Sequence, residues 1–306
     1  MHNAERTICS AISVVVLCSI IALSISCRSG AGTGKPPAGP THVVTDDLGR
    51  SVTLPVEIKR VVSLAPSVTE SVFAVGAGDK LVGDTTYCDY PEQAKAIAKV
   101  GDTMNPNMET IVALKPDVVL VSTSSQIEAF TKTLEQNGIA VYVMNPTTPG
   151  QVVSGLRKLG ELLGTIGTAN NVADQFDRRV QNITRRIETD APATVFVQIS
   201  REPLFTIGRE SFLNKLVEMA GGKSVTANVE TAFPKLSKET ASALNPEVII
   251  LSDSEDNREP NEAFKNSPAV KNGRVYKINA DIISRPGPRL VDALEEIAKD
   301  LHPERF

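Results

Sequence analysis

ETIVALKPDVVLVS, from Glu109 to Ser122, and ETASALNPEVIILS, from Glu239 to Ser252, are nearly one sequence written twice. Seven positions (Glu, Thr, Ala, Leu, Pro, Val and Ser) are identical in a gapless register of 14, and Asp117 with Glu247 or Val119 with Ile249 are conservative pairs. A second echo follows each copy, NGIAVYVMN from Asn137 and NGRVYKIN from Asn272. The copies lie 130 residues apart, far beyond the roughly 20–50-residue period of a solenoid. They therefore predict two similar lobes. Any two helix–strand units of an α/β protein can look alike, but a shared register and a second echo are hard to obtain by accident. Each copy also opens on a glutamate, so the lobes present matching carboxylates.

Working outward, 306 residues hold two medium domains, each with its own core. A net charge of −4 without a basic stripe argues against nucleic acid as a partner. Arg6 precedes an uncharged apolar run from Ile8 to Ser26, as in a secretory signal peptide. The run ends at Cys27, the expected lipidated residue, preceded by LSIS, in which Ser24 replaces the usual leucine. The alternative is a permanent signal anchor, since about 20 apolar residues just span a bilayer. RSGAGTGKPPAGP, from Arg28 to Pro40, reads as a flexible tether and favours the lipoprotein. Cys9 and Cys18 leave with the signal peptide, so Cys88 stands alone in the body and no intrachain disulfide forms there. The expected divisions are 1–27 signal peptide, 28–41 tether, 42–148 N-terminal lobe, 149–190 helical linker and 191–306 C-terminal lobe. A lipid-anchored extracytoplasmic monomer is expected.

Within the body, residues 43–54 alternate around DDLGR as a hairpin. Strands are expected at 61–64, 81–82, 117–121 and 139–143, with helices at 67–76, 107–114 and 126–136. Ser67 and Glu70 have the spacing of a capping box, with Ser67 as the cap. Strands alternating with helices mean a mainly parallel sheet. From Pro149 to Glu188 the strand signal disappears. A helix at 149–163 should end near Gly164, and a second at 168–189 carries Val172, Phe176, Val180, Ile183 and Ile187 on one face. Such a rod, roughly 33 Å long, can bridge two lobes. Strands resume at 194–199, 247–251 and 274–278, and a last helix covers 288–301. The fold class is α/β, two lobes joined by one rigid helix, with a cleft between.

The chemistry of an enzyme is missing. His42 and His302 sit near the ends of the mature body, too far apart for a central metal cluster. There is no HExxH, G-x-S-x-G or Walker A loop, and the GAG of Gly76 to Gly78 follows a helix rather than opening one. A non-enzyme is expected, without a bound cofactor or metal of its own; a two-lobed α/β enzyme, or a surface protein using the fold only for protein contacts, is the alternative.

RVVSLAPSVTE, TTYCDYPEQA, NMETIVALKPDVVLVS, the rod and SRPGPRLVDALEEIAKDLHPERF occur here in one order. Together they resemble the helical-backbone class of ABC-transporter substrate-binding proteins, which includes cobalamin, ferric-siderophore and haem binders. The resemblance runs from about Asp46 to the C-terminus. It implies a metal chelate clamped between the lobes, cobalamin favoured over a ferric siderophore or haem, and an ABC permease and ATPase as partners. Tyr87-Cys88-Asp89-Tyr90-Pro91 is similar to a cleft element of the cobalamin branch. The tryptophans that surround the corrin in that branch are absent; Thr103 and Met104 follow Gly101-Asp102, and Phe233 stands where a tryptophan is expected.

The expected ligand contacts follow from residue chemistry and this resemblance. Tyr87 and Tyr90 offer a flat face and a polar tip, and at least one should face the cleft. Asp89 shares their loop. Phe205 and Phe233 are the facing aromatics of the C-terminal lobe, unless they pack in its core. Arg201, Asp281 and Arg285 are polar candidates, and Arg289 caps or pairs structurally. Ser67 opens a helix at the strand ends, where its N–H groups favour an anion, or is a plain cap. Glu109 and Glu239 sit in helical first turns behind the caps Asn107 and Ser237, where a carboxylate suits the dipole. The resemblance implies that both dock on permease arginines.

Overall fold

The computed structural model describes residues 39–122, 127–187 and 191–306. The expected signal peptide, Cys27, most of the expected tether and the expected last two residues of the rod lie outside the described residues.

The N-terminal lobe begins with an antiparallel hairpin, β1 (Thr41–Thr45) and β2 (Ser51–Pro55). Its sheet has the order β4 (Leu81–Gly83), β3 (Val61–Ser63), β5 (Val118–Ser122), β6 (Ala140–Met144), all parallel. Helices α1 (Pro66–Ala74), α2 (Met108–Ala113) and α3 (Ile127–Gln136) make the connections. The linker comprises α4 (Pro149–Leu163) and α5 (Ile166–Arg186). In the C-terminal lobe, β10 (Val248–Asp253) lies between β11 (Val275–Asn279) and β7 (Ala193–Ser200), all parallel. The short β8 (Phe205–Thr206) joins β7 antiparallel and β9 (Gly222–Ser224) joins it parallel. Helices α6 (Phe212–Met219), α7 (Lys238–Leu244), α8 (Pro268–Lys271), α9 (Ala280–Ile283) and α10 (Leu290–Leu301) complete the lobe.

The duplicated sequence is duplicated structure. In each lobe the repeat forms a short helix, α2 or α7, followed by the strand that takes a neighbour on both sides, β5 or β10. Asn107 Oδ1 accepts from Thr110 N at 3.0 Å, and Ser237 Oγ accepts from Thr240 N at 3.1 Å, so both helices start on a side-chain cap. Both leave their helix through a left-handed residue before a proline, Lys115 (φ 47°) and Asn245 (φ 49°), because the residue before proline is kept from continuing the helix. The next carboxylate then clamps the neighbouring chain. Asp117 Oδ2 accepts from Lys59 N and Arg60 N, both at 2.8 Å; Glu247 Oε2 accepts from Thr194 N at 2.7 Å. The second echo turns at Gly138 (φ 72°) and Gly273 (φ 68°), a conformation that favours glycine.

The rod is α5, 21 residues, or about 32 Å at the usual rise. It starts two residues earlier than expected and its helical turns end at Arg186. Phe176, Val180, Ile183 and Ile187 are buried as the stripe requires; Val172 is only partly buried, and Ala169 and Ala173 complete the seam. The stripe belongs to a continuous apolar core that includes Val61 and Val118 of one sheet and Val195 and Val248 of the other. Separate clusters cover the outer sheet faces, around Leu64 and Ile111 in the first lobe and around Phe196 and Phe264 in the second. Arg157–Asp174 (2.7 Å) ties α5 to α4, and Arg179 ties it to Asp292 (2.6 Å) and Glu295 (2.8 Å) on α10. Packed on both sides, the rod runs from Ile166 to Arg186 as one helix without an internal break to serve as a hinge.

Candidate functional site: the cleft between the lobes

A cavity of about 660 Å³ opens where the strand ends of the two lobes face each other, the usual place for a ligand in parallel sheets. Its N-terminal wall is the first turn of α1 with Ser67, the loop after β4 with Tyr87, Thr103, and Met144 to Thr147 after β6. Its C-terminal wall is Glu210 to Phe212 at the start of α6, Phe233, and Asp281 with Arg285 around α9. Tyr87 is 61% exposed and Phe233 47% exposed, so each keeps an aromatic face free on its own wall.

Beneath the cavity the lobes are joined by charge. Glu70, on α1, has a side chain only 2% exposed. Its Oε1 accepts from Arg285 Nη1 (3.0 Å) and Arg289 Nη2 (2.6 Å), and its Oε2 accepts from Arg289 Nε (2.8 Å). Arg289 thus grips the carboxylate bidentately and also lies 4.1 Å over the Tyr90 ring. Arg285 donates in addition to Asp89 (3.0 Å) and Asp281 (2.6 Å). Burial pushes the Asp89 carboxyl up, but the hydrogen bond and charge of Arg285 outweigh it and hold it below its usual range.

The Tyr87 loop is held from below. Lys99 Nζ donates to Asp84 Oδ1 (2.8 Å), Cys88 O (2.9 Å) and Ala94 O (3.0 Å). Asp84 is fully buried and its Oδ2 has no partner among the described residues. Burial pushes this carboxyl up to about 6, against the hydrogen bond and charge of Lys99. The Cys88 thiol, buried 3.2 Å from the hydroxyls of Thr69 and Thr85, is likewise pushed up by burial. It is a structural group, not a nucleophile.

Residues 61–282 match the periplasmic binding protein family. The chain belongs to this family.

This periplasmic binding protein is 34% identical over 276 residues to an uncharacterized ABC transporter substrate-binding lipoprotein of Bacillus subtilis, YvrC, with 86% of each chain covered. It is 30% identical over 243 residues to the vitamin B12-binding protein of Photorhabdus laumondii, covering 79% of this chain and 88% of that one. Among solved structures it resembles the periplasmic vitamin B12 binding protein BtuF of Vibrio cholerae, with TM-score 0.72 and 28% identity over 81% of this chain and 98% of that one. It also has the fold of the haem-binding protein RhuT of Roseiflexus sp. RS-1, with TM-score 0.71 and 20% identity over 81% of this chain and all of that one, 100%. It is a solute-binding protein of ABC-importer type with the two-lobed α/β architecture. Among the described residues no helix is long and apolar enough to cross a membrane.

Of the residues expected to touch ligand, the periplasmic binding protein brings Ser67, Tyr87, Thr103, Phe233, Asp281 and Arg285 to one cavity. The others stand outside its lining. Asp89 and Tyr90 are committed to the arginines beneath it, and Met104 is exposed beside Thr103. Arg201 pairs with Glu259 at 3.3 Å, and Phe205 forms the two-residue strand β8.

The capping box needs correction. Ala65 is the N-cap of α1 with no side-chain bond, Pro66 takes the first turn, and Ser67 lies inside the helix. Glu70 faces the arginines instead of returning to a cap. Phe212 and Glu210 were not anticipated; the signal was Ser211 before an apolar run, and Ser211 Oγ does cap Leu213 N at 3.3 Å. Glu109 and Glu239 are exposed at the starts of α2 and α7, one on each lobe. Its own first-turn N–H and the Ser237 hydroxyl hold the Glu239 carboxyl below its usual range, so it is fully charged at neutral pH.

Proposed function

We propose that this protein captures a corrinoid of the cobalamin type in the interlobe cleft and hands it to the permease of an ABC importer. The observation that carries the ligand class is the charge of the cleft. Among the described residues, Arg285 is the one cationic side chain of the lining, and it is already shared by Glu70, Asp89 and Asp281. Glu210 and Asp281 add negative charge. A polyanionic ferric catecholate, or the two propionates of haem, would need cations that this cleft does not offer. Cyanocobalamin, a corrinoid of this type, is neutral overall, with an amide periphery and a flat macrocycle. It suits the hydroxyls of Ser67 and Thr103 and the faces of Tyr87, Phe212 and Phe233. The vitamin B12-binding relatives support the same choice.

Delivery to the permease rests on Glu109 and Glu239, two exposed carboxylates at a span fixed by the packed rod, each suited to bidentate capture by arginine. Lipidation at Cys27 supplies the anchor, and the lipoprotein relative supports it.

Equilibrium titration of the purified protein with cyanocobalamin, hemin and a ferric catecholate siderophore tests the ligand class. Cyanocobalamin should saturate one site with an affinity nearly independent of salt, because a neutral ligand brings no screened charge. Tighter binding of the catecholate, weakening as salt rises, would overturn the reading.

A further inference from the structure

We propose that Glu70 is the positioning residue of the cleft. By gripping Arg285 and Arg289 it fixes the spacing of the two walls, so that the site is formed before ligand arrives. The proposal rests on the cleft being the ligand site.

Three observations carry it. Glu70 belongs to the N-terminal lobe and both arginines to the C-terminal lobe, 215 and 219 residues away in sequence. Its carboxylate, 2% exposed, satisfies both oxygens only while the lobes stand at this separation. Separation would exchange three charge-assisted hydrogen bonds, one pair of them bidentate, for hydration of the carboxylate and of both guanidinium groups. The third is steric. A Cβ built on Gly287, between the two arginines, would stand 3.2 Å from Ser67 O, so the C-terminal segment already touches the first turn of α1. The rod restrains the lobes through the continuous core, and Glu70 supplies a second tie beside the cavity. Two ties resist a rotation that one would allow. Arg285 therefore acts on the ligand as a wall and not as a free cation.

The test uses interlobe distance, which stability alone does not move. Spin labels on keto-bearing residues at exposed Lys132 and Lys271, one per lobe, give a distance distribution in the full chain without ligand. Glu70→Gln leaves two arginines with one fewer anion between them and should lengthen and broaden the distribution. Gly287→Ala, which keeps every charge, should shift it in the same direction. Asp46→Asn is the control. Its carboxylate is as deeply buried and equally bonded, but to Arg50 and Val143 N of its own lobe. It should lower stability and leave the distribution in place. Cyanocobalamin affinity should fall about tenfold or more in both cleft variants, since an unformed site must be ordered on binding, and hold in Asp46→Asn. A Glu70→Gln distribution superimposing on the parent would overturn the proposal. If that variant does not fold, Arg289→Lys, which keeps the charge but loses the bidentate grip on Glu70, decides by the same criterion. A parent that ignores cyanocobalamin would refute the corrinoid, while the distance data would still judge Glu70.

Discussion

Replacing Lys99 by methionine removes the anchor of the Tyr87 loop. Three acceptors lose a donor: the fully buried Asp84, Cys88 O, and Ala94 O, which keeps the hydrogen bond from Ile97 N. Breaking a buried pair from one side costs about 3–5 kcal/mol, and the partial exposure of Lys99 places this case toward the low end. The loss depends on pH with a definite sign. Asp84 titrates near 6 in the folded protein against 3.8 when exposed. Its proton therefore contributes stability that is fully present below 3.8 and lost as pH rises through about 6. That interval corresponds to about 3 kcal/mol. Without Lys99 the folded carboxyl holds its proton still more tightly, so the variant loses stability further into the neutral range than the parent. Urea unfolding at pH 8 should show a deficit of about 3 kcal/mol, shrinking steadily toward pH 4. Asp84→Asn added to Lys99→Met should recover most of it at pH 8, because an amide leaves no orphan charge. A deficit independent of pH, or a double variant no better than the single, would refute this account of the loop.

Two further outcomes follow. Glu109→Arg and Glu239→Arg should leave the melting temperature and ligand affinity nearly unchanged, because Asn107 and Ser237 cap the two helices independently. Reconstituted uptake should fall in each and most in the double variant, since both lobes must seat at once; normal uptake with a lowered melting temperature would reduce both to helix-start residues. Cys27→Ala should release the protein from membranes, and the parent's intact mass should begin at Cys27 with an acyl increment; a variant that stays membrane-bound would replace the lipid anchor with a signal anchor.

What the sequence displayed was periodic or repeated. The duplication is legible because one structural problem is solved twice in the same order: cap, left-handed exit, proline, strand-clamping carboxylate. The rod is legible because Phe176, Val180, Ile183 and Ile187 bury one face of a helix at its own period. Tyr87 and Phe233 reach the cavity as their chemistry suggested. The interlobe network was hidden for a physical reason. Glu70 sits where a capping box would place a glutamate, and its actual partners are more than 200 residues away. Pro66 was the overlooked cue, since proline favours the first helical position and moves the cap to Ala65. Arg285 was legible as a cleft residue but not as one whose hydrogen bonds are already spent, because charge saturation is a property of three segments together. Arg201 and Phe205 stand outside the cavity lining, the one before and the other within a strand, β8, that is two residues long and too short for any pattern to reveal.

The central claim is a preformed corrinoid cleft. Calorimetric titration of cyanocobalamin into the purified parent and Tyr87→Ala tests it most directly. The account predicts one site in the parent with a dissociation constant below about 1 μM, equivalent to roughly 8 kcal/mol. Tyr87→Ala should weaken it by on the order of 1 kcal/mol through loss of the stacking face. Binding no tighter than about millimolar, or roughly 4 kcal/mol, while hemin or a ferric siderophore saturates the same protein, would contradict it.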